Sequence, residues 1–185
     1  MNNGTISPST PFVSFDWDPA SRAGSCQLGG FDPGKFIPSE GIFMPWTPYT
    51  QFKGGEYIWT TPLQAYKVGF QPLGGNPPVT LGINGGEITV TSDFYMVRIE
   101  AGPDQGKVIP QFRPLGLTNL VLVGAVLMEY CYTIFTYQAV TNPSGMISLA
   151  PDGMYVFNNP GGRKIITKPS VNLRIPASVQ PVRYT

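Results

Sequence analysis

A chain of 185 residues with 12% charged residues, 22 glycines and 20 prolines is long enough to bury a core, and its ordinary apolar share excludes a disordered polymer. The net charge of +1 gives no global pull toward nucleic acid or membrane. With no histidine at all, His-based triads, His general bases and His metal ligands are excluded.

In chain order, the polar first ten residues give no signal peptide, and Asn3 opens an Asn-Gly-Thr glycosylation acceptor with nothing else pointing to secretion. "FVSFDW" alternates from Phe12 and reads as a strand that runs into Asp16, Asp18 and Pro19. Alternate strand residues point the same way. Asp16 and Asp18 are therefore either a strand exit into an Asp-Pro turn or a pair able to hold Ca²⁺ with oxygens from a second chain. As an acid/base pair they lack a partner group. Residues 24–55 and 101–119 read as proline-studded connections. The aromatics Trp46, Tyr49, Phe52, Tyr57 and Trp59 read as core or subunit interface, with stacking on bases or sugars as the alternative.

"EYIWTTP", "LQAYKVGF", Glu87–Thr91 and Phe94–Glu100 follow as strands, with a hairpin turn at Asn84–Gly86. The longest strand, "GAVLMEYCYTIFTYQAV", is apolar on both faces and is expected to be central and covered on both sides. Its flanking apolar run, Leu120 to Met128, is closed by Glu129 and is too short to span a bilayer. Cys131 inside that strand reads as a small core residue, and Cys26 and Cys131 form no zinc or redox motif.

After Val140 come shorter strands, "MISLA", "MYVFNN", "RKIITK" and "VNLRIP". Residues 141–185 hold Arg163, Lys164, Lys168, Arg174 and Arg183 against Asp152, so five minus one leaves a charge near +4. Charges that sparse suit a solvated arm. Arg163, Lys164, Lys168 and Arg174 are its candidate nucleic-acid contacts, few enough to give a shallow salt dependence. The expected organisation is a domain over 1–140 and a C-terminal extension or arm over 141–185. The expected fold class is all-β, an antiparallel β-sandwich of the jelly-roll kind.

Three segments carry a family resemblance. "FVSFDWDPASRAG" resembles the strand and exit loop of the shell domain of small icosahedral RNA-virus coat proteins, the tombusvirus and sobemovirus type. In that family an Asp-x-Asp-x-x-Asp stretch helps to hold Ca²⁺ between subunits. Asp16 and Asp18 match its first two positions, and Ser21, a weaker ligand, stands at the third. "LVGAVLMEYCYTIFTYQ" is similar to the last shell strand, with Val123, Gly124, Tyr130 and Gln138 at the matching places, and "FYMVRIEAG" is similar to the penultimate one. The family uses several strands before the one that resembles Phe12 onward, and it has a basic arm that this chain does not show. The resemblance therefore implies completion of the sandwich by residues 141–185 or by a second polypeptide, of which the second chain is the expected one.

What the resemblance implies is a capsid subunit of the virion. It would assemble with copies of itself, and with a second coat polypeptide, into an icosahedral shell around an RNA genome that it binds weakly. It requires no cofactor, an intersubunit Ca²⁺ being the one cation the motif suits, and it passes through the host cytoplasm during assembly; the short apolar run gives no expectation of membrane insertion. The alternative is a spike or a carbohydrate- or receptor-binding sandwich. With no nucleophile–base constellation in the sequence, no enzymatic activity is expected.

Overall fold

The computed structural model describes residues 6–18, 21, 23–50, 58–69, 75–112, 120–124, 126–160, 162–170 and 173–175. Over these residues it is all-β, with eleven strands in antiparallel sheets and two short α-helices. The larger sheet has five strands in the order β2-β1-β9-β10-β3. They are β1 (Phe12–Asp18), β2 (Ala23–Leu28), β3 (Gly41–Pro45), β9 (Cys131–Thr141) and β10 (Ile147–Asn158). The second sheet has four, β11-β6-β5-β4, formed by β4 (Ala65–Val68), β5 (Val79–Ile83), β6 (Gly86–Val90) and β11 (Ile166–Lys168). A separate ribbon pairs β7 (Met96–Arg98) with β8 (Val108–Pro110).

The sheets pack as a sandwich because alternate residues of each strand are apolar on the facing side. Ile42 and Met44 of β3, Cys131 of β9 and Val156 of β10 meet Ile83, Ile88 and Ile166 of the smaller sheet in one buried cluster. The other face of the larger sheet is aromatic: Phe12, Tyr132, Tyr155 and Phe157, with Ile134. No strand of the smaller sheet covers it; Phe31, Phe36, Leu173 and Ile175 do. Phe36 stacks on Tyr132 and on Phe157 at centroid separations of 5.3 and 4.2 Å. As expected, β9 is central, and from Cys131 to Thr136 it is covered on both faces.

Asn158 ties the two sheets together. It ends β10, is 1% exposed, accepts from the Ile165 and Ile166 N–H groups at 3.1 and 3.0 Å, and donates to the Ile166 carbonyl at 3.1 Å. The expected hairpin at Asn84–Gly86 joins β5 to β6. Asn84 and Gly85 both have positive φ, 47° and 75°, as a two-residue turn matching strand twist requires.

Several expectations are corrected. The strand read from Gly124 onward begins only at Cys131; Val126–Tyr130 form helix α2. The ladder supplies the reason: β10 pairs with β9 no further than Asn158 opposite Cys131, and β1 reaches only Thr133. Without a neighbour, backbone groups are better satisfied inside one helical turn, which also sets Leu127 and Tyr130 against the core. Likewise Phe94 and Tyr95 lie in helix α1 (Ser92–Tyr95), which leaves only Met96–Arg98 as strand. The supposed connection 24–55 contains β2 and β3, and 101–119 contains β8. "EYIWTTP" is not a strand over its described residues, 58–62, and neither are residues 173–175 of "VNLRIP". "MISLA" and "MYVFNN" are one strand, β10, with a bulge at Asp152.

Val140 falls inside β9, which runs to Thr141, and β10 lies between β9 and β3 in the larger sheet. Residues 147–158 and 166–168 thus supply strands to both sheets from within the chain.

Candidate functional site

Asp16 and Asp18 lie on the same face of β1 as Phe12 and Ser14. Phe12 and Ser14 are buried, and the Ser14 hydroxyl donates to the Gly30 carbonyl and accepts from Tyr132 Oη. By Asp16 the strand has reached the rim of the aromatic layer. There a short 3-10 turn, Pro33–Lys35, brings Lys35 Nζ to 3.0 Å from Asp16 Oδ2. Asp32 holds the turn: its carboxylate accepts from the Gly34 N–H at 2.8 Å, and its own N–H donates to Tyr132 Oη at 2.9 Å. The bond to Asp16 raises the pKa of the Lys35 ammonium. Asp18, farther out and exposed, accepts from the Ser21 hydroxyl at 2.7 Å.

The carboxylate pair is therefore met from within the chain, Asp16 by an ammonium and Asp18 by the hydroxyl that stands at the third position of the family-like motif. Among the described residues no three Asp, Glu, Cys or His side chains gather closely enough to hold a metal ion. Sequence reasoning missed Lys35. The only signal was the Asp-Pro-Gly-Lys turn, which says nothing about which strand the lysine will reach.

On the other face of β1 a groove of about 410 Å³ is walled by Phe15, Trp17, Gly24, Cys26, Met128 and Glu129. Gly24 faces Trp17 across the β1–β2 ladder, and a Cβ there would come within 2.8 Å of the indole. The glycine thus lets the ring lie over β2. Cys26 is exposed and free, whereas Cys131 is buried and free, its thiol pushed up to about 12 by burial.

The candidate nucleic-acid residues do not form one patch of open charge. Arg163 pairs with Asp93 and lies 5.4 Å over the Phe94 ring, and Lys164 pairs with Glu40. Lys164 holds the Glu40 carboxyl below the usual carboxylate range, helped by the Asn158 amide. Asp93 is likewise lowered, first by the Thr91 hydroxyl and then by Arg163. Lys168 on β11 and Arg174 are exposed; Arg183 and Asn3 lie outside the described residues. Of the aromatics, Trp59 packs edge-on against Phe135 and Tyr137, and Trp46 Nε1 donates to the Ile58 carbonyl at 3.3 Å. Tyr49 is half-buried, and Phe52 and Tyr57 lie outside the described residues.

A feature without any motif is the far end of the β9–β10 hairpin. β1 leaves β9 at Thr136 and β3 leaves β10 at Gly153, so Tyr137–Thr141 and Ile147–Pro151 continue as a two-stranded ribbon. From Tyr137 to Pro151 there is no charged residue, yet Val140, Met146 and Ile147 are 41%, 64% and 59% exposed. Exposed apolar side chains also mark the edge strand β4, at Tyr66 and Val68, and the segment Val121, Leu122 and Val123. No family model and no curated protein sequence matches the chain.

Proposed function

We propose that the chain is a structural shell subunit that assembles with copies of itself around a viral genome, and that it has no catalytic activity of its own. The observation that carries this reading is the placement of exposed apolar groups. They sit on the edge strand β4, whose one charge, Lys67, is paired with Glu87, on an uncharged projecting ribbon and on the segment 121–123, and edges are where a solitary domain gains from charge.

The finer fold reading, a viral jelly roll, belongs to the same proposal. In its favour, β9 returns by a long connection to lie beside β1 of the β1–β2 hairpin, as in a Greek key. Against it, sequence-adjacent strands pair side by side in both sheets. The family-like Ca²⁺ between subunits would have to displace Lys35 from Asp16 and draw its remaining oxygens from a second chain. Genome contact would be light, because Arg163 and Lys164 are already engaged and Lys168 and Arg174 remain exposed. A second coat polypeptide is not needed to supply β10 or β11; if present, it would add contacts at the edges. The virion, with passage through the host cytoplasm, is the corresponding location. No helix among the described residues is long and apolar enough to cross a membrane.

Sedimentation velocity and negative-stain microscopy of the purified protein test the proposal. Closed particles of uniform diameter support it. A monomer that persists at high protein concentration and under varied salt and pH refutes it.

A further inference from the structure

We infer that the β9–β10 ribbon is a self-pairing arm: its β9 edge joins the same edge of a second copy across a two-fold axis centred on Val140. This rests on the reading of the chain as self-assembling and names the contact.

The ribbon is built to hold its shape. Asn142 Oδ1 accepts from the Ser144 N–H, the Ser144 hydroxyl and the Met146 N–H at 3.1, 2.7 and 2.9 Å, and Gly145 takes the positive φ (80°) that closes the tip. Two-stranded ribbons are marginal in water on their own, and this one exposes Val140, Met146 and Ile147 with no charge to keep it solvated.

The direction of its free hydrogen-bonding groups follows from two bonds. Asn142 N–H donates inward to the Met146 carbonyl, and Tyr137 N–H donates outward to the Pro11 carbonyl. With a period of two, Val140 faces Ser148 of β10, its register partner, while the N–H and C=O groups of Ala139 and Thr141 point to the open edge. Among the described residues no Lys, Pro or acid guards that edge, the usual devices against edge pairing.

Three two-fold registers could match the edge to itself. Centring on Ala139 sets Thr141 against Tyr137, whose N–H is already held by Pro11. Centring on Thr141 sets Ala139 against Pro143, which has no N–H. Centring on Val140 sets Ala139 against Thr141 in both directions, so the N–H and C=O groups of both residues are used, and Gln138 faces Asn142. Val140 then meets its own copy at a non-hydrogen-bonded position, the closer kind, with Cα atoms about 4.5 Å apart. Self-pairing across a dyad is normally vetoed by like charges facing one another; here there are none. The occupant is thus a second copy, because the edge is complementary to itself in one register.

Cross-linking tests the register. In the full chain with Cys26→Ser, which removes the exposed thiol, Val140→Cys should give a disulfide-linked dimer under oxidised glutathione. About 4.5 Å between Cα atoms lies within disulfide reach. Ser148→Cys, one strand farther from the axis on each side, would place its Cα atoms about 14 Å apart and should stay monomeric. Val140→Lys, at an exposed position, should remove the dimer from sedimentation profiles while leaving the near-UV circular dichroism unchanged. The inference is overturned if Val140→Cys cross-links no faster than Ser148→Cys, or if Val140→Lys leaves the dimer intact. Particles that form without the Val140→Cys cross-link would sink this contact and leave the shell reading standing. Cross-linked dimers that never grow into particles would do the reverse.

Discussion

Replacing Asn158 by alanine tests how the sandwich is fastened. The side chain is buried at the end of β10 and satisfies two N–H groups and one carbonyl on the Ile165–Ile166 segment that leads into β11. A second amide bond reaches Glu40 Oε2 at 3.2 Å. Alanine would strand three buried backbone groups, each costing about 1–3 kcal/mol when unpaired. Some relaxation toward solvent is inevitable, so the expected loss is about 3–5 kcal/mol, a large fraction of a typical stability of roughly 5–15 kcal/mol. Urea melts followed by tryptophan fluorescence measure it, with the slope confirming that the same surface unfolds. A loss below about 1 kcal/mol would refute the reasoning, since a surface substitution costs that little. Asn158→Asp sharpens the test. It keeps an acceptor for both N–H groups but sets a carboxylate against the Ile166 carbonyl and Glu40. The two N–H donors favour its charge, but burial, the Ile166 carbonyl and Glu40 oppose it together, so its folded pKa should lie above the unfolded value of about 3.9. A raised acid is best tolerated below the unfolded pKa, and stability is lost as the pH rises through the folded one. The deficit of Asn158→Asp relative to the native chain should therefore be smaller at pH 4 than at pH 7. A deficit independent of pH would show that the amide does not sit as described.

The remaining predictions concern charge and thiols. Cys26 should react with a disulfide reagent in the folded protein while Cys131, buried and with its pKa pushed up to about 12, reacts only on unfolding; two equally fast thiols in stopped-flow titration would contradict this. The carboxyls of Glu40 and Asp93 are both lowered by their partners, so their contribution is present above the unfolded carboxylate range near pH 4 and is lost as pH falls through their folded values. Melting temperatures from pH 6 to pH 3 should fall less steeply in Lys164→Ala than in the native chain, and parallel curves would argue against the Lys164–Glu40 pair. Asp16→Asn removes one partner of an ion pair whose lysine is half-exposed, so urea melts should show a change below about 1 kcal/mol; a larger loss would mean that Asp16 does more than meet Lys35.

What could be read from the sequence was whatever local chemistry decides. The Asn84–Gly85 turn demands positive φ at both residues, and few residue types other than Asn and Gly supply it. The double-faced burial of β9 follows from apolar residues on both sides of the alternation. Non-local geometry decided the rest. Val126–Tyr130 have the composition of a strand, but no described strand pairs with them, and they form a helical turn. Ala23–Leu28 reads as connection because an edge strand exposed on both sides has no need to alternate. Asp16 and Lys35 are distant in sequence, and their meeting depends on Phe36 being drawn into the aromatic layer, which carries the preceding turn to the rim of β1.

That aromatic layer also bears on where contacts can form. A five-stranded sheet with two apolar faces needs two covers, and among the described residues the four-stranded sheet supplies one of them. The second cover is made from Phe31 and Phe36, on either side of the 3-10 turn Pro33–Lys35, together with Leu173 and Ile175 from the late segment. Tyr155 Oη fixes that late segment by donating to the Arg174 carbonyl at 2.8 Å. Over β3, the second half of β10 and the first half of β9 both faces of the larger sheet are thus filled from within the chain, and a partner that docked there would have to displace packed aromatics or a whole sheet. Edges and projections are what a partner can reach at lower cost. They are also where the exposed Tyr66, Val68, Val140, Met146 and Ile147 lie. If copies of this chain associate, backbone pairing along edges should therefore dominate the contact over face-to-face burial. Such a contact should weaken little with added salt, because the ribbon from Tyr137 to Pro151 brings no charge to it.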